Sequence, residues 1–301
     1  MSIINKMKRL KKEGKINPPS FVIEDLEYLV IMGSVAYGVN EDYSDLDLYG
    51  FCIPPKEIIF PHLNGQINGF GPKPPEFNQW QLAYVEDKNT KTTFDFSIYN
   101  VVKFIQLIME NNPTMLDSLF VPDRCILYQT EISKYLREKR FEFIHKGCYP
   151  KFKGYAYSQL HKCKSQERTG KRKEVVEKFG FDVKFAYHVV RLMSEVEEIL
   201  SERTLTLDKK ERREFLKSIR RGEVSYEEIE EYFKSKEKYL DKLYEESTLP
   251  YSYNEKEIKQ ILVNCLEMKF GSIDGLIKVS NEEDIKESLR DIQKIIGKYI
   301  F

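Results

Sequence analysis

Two alternating carboxylates, Asp45 and Asp47, stand in the run Ser44-Asp45-Leu46-Asp47, shortly after a Gly33-Ser34 turn. A phosphate-sized turn followed by paired acids is what a metal-dependent nucleotidyl transfer site needs. Gly33 has no side chain, so backbone N–H groups there can approach a polyphosphate closely, and the Ser34 hydroxyl can donate to a phosphate oxygen. Two carboxylates side by side repel, and each raises the other's pKa unless a cation neutralises them. A hard divalent cation, Mg²⁺ or Mn²⁺, does this with oxygen ligands, binding through a few carboxylates plus substrate phosphates. Ions so held activate an attacking hydroxyl and stabilise leaving pyrophosphate.

Strands must position these groups. Tyr28-Leu29-Val30-Ile31-Met32 is short, apolar and closed by Gly33, the pattern of a buried strand. Residues 45–53 form the next strand, where period two puts Leu46 and Leu48 on one face and Asp45 and Asp47 on the other. Thr92 to Tyr99 alternates as strictly, with Thr93, Asp95 and Ser97 opposite Phe94, Phe96 and Ile98. Asp95 is the sole acid in that strand. Paired beside the first acid strand, it can complete the metal site and accept the proton of an incoming hydroxyl. Glu86 and Asp87 are rivals, but Lys88, Asn89 and Lys91 beside them mark a turn.

Gly33-Ser34-Val35-Ala36-Tyr37-Gly38 followed by Ser44-Asp45-Leu46-Asp47-Leu48-Tyr49-Gly50 resembles the signature of the DNA polymerase β-like nucleotidyltransferase superfamily. Residues 112–119 and 180–192 narrow the likeness to the RNA-ligase-associated, or YcgL-like, nucleotidyltransferases. The likeness covers roughly residues 25 to 250. It implies a mixed β-sheet core of the polymerase β palm type, two divalent ions and a nucleoside triphosphate donor. Almost everything after Arg124 reads as helix, so the expected fold is α+β with a C-terminal α-helical domain, and ATP is the favoured donor. One position departs from the pattern: Tyr49 precedes Gly50 where the family usually has Arg.

A second constellation lies on a helix opened by Gly180-Phe181 and capped by Asp182, expected to reach about Ser201. Phe185, Val189, Leu192, Val196 and Ile199 form its buried stripe. Lys184, His188, Arg191 and Glu195 align along another face, at spacings of four, three and four. Two cations and a histidine in a row suit a triphosphate, Arg bidentately and Lys as a point charge. The resemblance places Lys184, His188 and Arg191 at matching family positions, which favours phosphate contact over a solvated face where Glu195 pairs Arg191.

The chain has 301 residues, with Lys plus Arg 48 and Asp plus Glu 48, so it is not globally a nucleic-acid binder. Between Lys151 and Lys178, however, nine basic residues meet three acidic ones, with Phe152, Tyr155 and Tyr157 among them, a mixture suited to RNA. Residues 1–122 are expected to form the catalytic core and 123–301 a helical domain completing the cleft. The N-terminal segment reads as a basic amphipathic helix ending before Pro18-Pro19 and packed on the core. Gly65 to Pro75 reads as a loop at the site's mouth, where Phe70, Phe77 and Trp80 stack on a ligand or pack down. Five scattered cysteines without zinc-like spacing fit a reducing cytoplasm, and no apolar stretch approaches membrane-spanning length. The acceptor is expected to be an RNA end. A protein hydroxyl receiving AMP, or a sensor or antitoxin-like module that binds nucleotide without transfer, are the alternatives.

Overall fold

The computed structural model describes residues 2–40, 45–60, 76–165 and 170–271. Ser44, the loop of residues 65–75 with Phe70, Arg168 of the basic segment and the part of the expected helical domain past residue 271 lie outside the described residues.

Five strands form: β1 (Leu26–Ile31), β2 (Leu46–Cys52), β3 (Gln79–Asp87), β4 (Thr92–Asn100) and β5 (Ile126–Gln129). They form one mixed sheet in the order β3-β4-β2-β1-β5. β1 runs antiparallel to β2 and β5, β3 antiparallel to β4, and β2 parallel to β4. β5 lies beyond residue 122, so the segment expected to be a helical domain supplies an edge of the sheet.

One face of the sheet, with Leu48, Phe94, Phe96 and Ile98, is covered by α1 (Ile3–Lys12) through Ile3, Met7 and Leu10 and by α2 (Ser20–Glu24). Arg9 of α1 reaches the buried Asp87 at 2.8 Å, which makes Asp87 a packing anchor. A single helical turn, α3 (Gly33–Ala36), follows β1, and α4 (Lys56–Ile59) follows β2. The opposite face carries α5 (Val101–Met109) and α6 (Pro113–Phe120), and Phe104 of α5 lies 4.8 Å from Phe51 of β2 between ring centroids. The rest is helical: α7 (Glu131–Glu138), α8 (Cys148–Ser165), α9 (Lys171–Phe179), α10 (Val183–Glu202), α11 (Lys210–Arg220), α12 (Tyr226–Glu246) and α13 (Glu255–Phe270). Buried residues from Tyr28 to Leu266 join in one apolar cluster, so sheet and helices share a core. Among the described residues no helix is long and apolar enough to cross a membrane.

Gly50 permits the close approach of β1 and β2. A Cβ there would sit 2.0 Å from the Tyr28 carbonyl oxygen. Gly50→Ala should therefore lower stability by roughly 2–3 kcal/mol, read as a reduced denaturant midpoint.

Candidate active site

Parallel pairing of β2 and β4 sets Asp47 opposite Asp95. Paired residues of parallel neighbours face the same way, so the two carboxylates share one face of the sheet. Asp45 stands just ahead of β2, exposed, two residues before Asp47. Farther along the same faces, Phe51 and Tyr99 are buried in the core that α5 helps to form; the acids occupy the leading ends of the strands. Burial pushes the Asp47 carboxyl above its usual range, Lys184 opposes that shift, and Asp95 and Asp45 add to it. Asp95 Oδ1 accepts the backbone N–H of Tyr84 at 2.7 Å, from an irregular stretch of β3 between Leu82 and Val85.

The signature turn closes against these acids. Gly33 has φ +64°, and a Cβ built on it would lie 2.1 Å from Asp47 Oδ2. Glycine is required there twice over, by its left-handed backbone and by the carboxylate pressed against its Cα. Ser34 follows, half-buried, inside α3. Among the described residues no three His, Cys, Asp or Glu side chains close around a single point. The donor set is still that of a hard divalent ion: carboxylates on adjoining strands, with Asp47 driven towards neutrality by burial and like charge, a tension that a cation relieves.

Helical elements hold the turn from outside. The Tyr37 hydroxyl donates to Asp117 Oδ2 of α6 at 2.7 Å, and Arg191 Nη1 of α10 donates to that same oxygen at 2.7 Å and to the Tyr37 hydroxyl at 2.8 Å. The Glu195 carboxylate completes the network, 2.8 Å from Arg191 Nη1, and the Arg191 guanidinium carbon lies 4.4 Å from the Tyr37 ring centroid. Arg124 donates to the Val35 carbonyl at 3.2 Å, Arg220 donates to the Val39 carbonyl, and Arg213 fills the space a Cβ on Gly38 would need.

A scan against protein families matches residues 1–261 to RlaP, the RNA repair pathway DNA polymerase beta family. The chain belongs to the RlaP family. It is accordingly a polymerase β-type nucleotidyltransferase enzyme. Solved structures that match include a nucleotidyltransferase-like protein from Exiguobacterium sibiricum, at 10% identity and TM-score 0.28, over 90% of this chain and 92% of that one. No curated protein matches at a significant level.

Within this RlaP-family chain the helix α10 face divides. Lys184 is exposed in the first turn, near enough to Asp47 to lower its pKa. His188 is half-buried; burial and the charges of Arg191, Lys184, Arg172 and Arg220 hold its pKa well below the usual value, so it is neutral at pH 7. Arg191 corrects the sequence expectation: it is buried, and its partners are Asp117, Tyr37 and Glu195 rather than a triphosphate. Phe77 packs edge-on to Phe21 at 4.9 Å and Trp80 against Phe96 at 5.5 Å, the packing alternative of the sequence reading. In the Lys151–Lys178 segment Phe152 is buried, Lys153 pairs with Glu237 and Asp241, and Lys164 pairs with Glu227, all three acids belonging to α12. Tyr155 and Tyr157 stay exposed. Tyr49 hydrogen-bonds Ser97 across the strands. Tyr37 and Asp117 stood inside the quoted motifs, and only their spatial meeting was hidden.

Burial pushes the Glu195 carboxyl up to about 8, with Asp117 adding to the rise and Arg191 and Arg212 opposing it. The folded chain then holds a proton that the unfolded chain gives up above about 4.5, so this contribution to stability is complete below about 4.5 and lost as pH rises through about 8. Glu195→Gln, which mimics the protonated acid, should gain in melting temperature relative to the unsubstituted chain as pH is raised from 5 to about 9.

Proposed function

We propose that the protein transfers a nucleoside monophosphate, with ATP as favoured donor, to the hydroxyl of an RNA end and releases pyrophosphate. The observation that carries this reading is the registered Asp47–Asp95 pair beside Gly33. Gly33 and Ser34 bind the β- and γ-phosphates, and Lys184 adds a positive charge beside Asp47. His188, being neutral, serves as a hydrogen-bond partner to phosphate oxygen, not as a fixed cation. Asp45, Asp47 and Asp95 hold the divalent ions, Mg²⁺ or Mn²⁺. When bound, such ions supply Lewis-acid stabilisation of the charge that builds on phosphate oxygens.

The acceptor oxygen forms a bond to the α-phosphorus as the bond from that phosphorus to the bridging oxygen breaks. Pyrophosphate leaves with the electron pair, and the hydroxyl proton passes to Asp95. The Tyr84 N–H engages Oδ1, which makes Oδ2 the proton-accepting oxygen and fixes the carboxylate's orientation. The family's description as an RNA repair pathway family supports an RNA end as acceptor, and the exposed Tyr155 and Tyr157 offer further contact along α8.

The test is incubation with each α-³²P-labelled nucleoside triphosphate, Mg²⁺ or Mn²⁺ and total RNA. Label from ATP should enter RNA; label on protein alone, or no pyrophosphate release, would overturn the reading. Asp95→Asn should lower kcat by about 10²–10⁴-fold. Asp47→Asn should end turnover without lowering the melting temperature, because it removes a charge disfavoured by burial and by its neighbours.

A further inference from the structure

β3 is an edge strand, and its irregular stretch holds an oddity. Tyr84 has φ 58° and stands 79% exposed. A left-handed backbone costs an L side chain energy that glycine would not incur, and a ring so exposed recovers little of it by packing. The same residue's N–H holds Asp95 Oδ1 at 2.7 Å. A residue whose ring has little packing is thereby anchored through its backbone to the proposed base.

Strand order says which substrate it faces. In the order β3-β4-β2-β1, the Gly33 turn follows β1 on one side of the carboxylates and Tyr84 lies on the other. With donor phosphates at the turn, the β3 side receives the acceptor. Lys88 and Lys91, both exposed, follow Tyr84 at the tip of the β3–β4 hairpin. Of the nearby acids, Asp87 is paired to Arg9 and Lys6, and Glu86 is exposed. Lys15 is engaged by the Glu86 carbonyl and by Glu13.

We propose that Tyr84 is the platform on which the terminal base of the RNA acceptor stacks, with Lys88 and Lys91 on the phosphates behind it. This rests on the transferase reading above for the choice of acceptor side. A flat ring accepts any base, and ammonium groups follow the backbone, so the site takes a single-stranded end with little sequence preference.

Anisotropy of a 5′-fluorescein RNA 10-mer with a free 3′-hydroxyl, read without turnover on the full chain, tests the contact. Tyr84→Ala should weaken binding about tenfold and Tyr84→Phe hardly at all. Replacing the terminal nucleotide by an abasic one should weaken the unsubstituted chain by a similar factor and leave Tyr84→Ala indifferent. Lys88→Ala and Lys91→Ala should each reduce the salt slope by about 0.7. Tyr84→Gly, which relieves the backbone, should melt no lower than the unsubstituted chain yet bind RNA as weakly as Tyr84→Ala. Absence of RNA binding by the unsubstituted chain, equal binding by Tyr84→Ala, or a loss confined to a fluorescent ATP analogue would overturn the assignment. Because no turnover is needed, failure of label transfer counts against the reaction and not against this contact.

Discussion

A guanidinium that cannot lose its charge, closed inside the protein, constrains everything around it. Arg191 is buried with Asp117, Tyr37 and Glu195 as partners. Taking such an ion out of water costs several kcal/mol, repaid only when its partners keep good geometry. Those partners come from α6, from α10 itself and from the turn after β1, so none of the three can shift alone. Tyr37 is the coupling point, because it lies four residues past Gly33. The helical layer thereby becomes a condition of the turn's shape, and the turn in its tight form presses Gly33 against Asp47.

The carboxylates of the site work against stability. Asp47 is half-buried beside Asp95, and its raised pKa records the cost of that placement. β2 is paired with β4 over its whole length, from Leu46 with Phe94 to Cys52 with Asn100. A rigid frame of this kind keeps like charges together, and oriented acids are what a divalent cation can use without further ordering.

Much of this arrangement was legible in the residues. Period two revealed the faces of β2 and β4, and the third acid emerged because Asp95 alone broke an otherwise uncharged strand. The Asp182 cap of α10 was equally plain, since its side chain accepts the Lys184 N–H as the local pattern requires. Contacts distant in sequence were not legible. Helical spacing aligned Arg191 with Lys184 but could not tell that other elements cover one end of that face and leave the other open. The basic excess of α8 ignored acids on α12, which lie more than sixty residues away. The bend at Tyr84 left no trace, because Ala83-Tyr84 carries no glycine, proline or asparagine to announce a positive φ. β5 was missed as well, being four half-buried residues without clear alternation.

That short strand bears on how the chain is made. β1 is apolar and nearly all buried, and its outer edge pairs with β5, about a hundred residues later. At ribosomal speeds of about 5–20 residues per second, β1 waits roughly 5–20 s for that partner. During the wait its open backbone edge is a template for pairing with another chain. Truncated products that stop before residue 126 carry the complete trio of acids and the signature turn, yet keep this edge bare, so they are clients for chaperones rather than small enzymes.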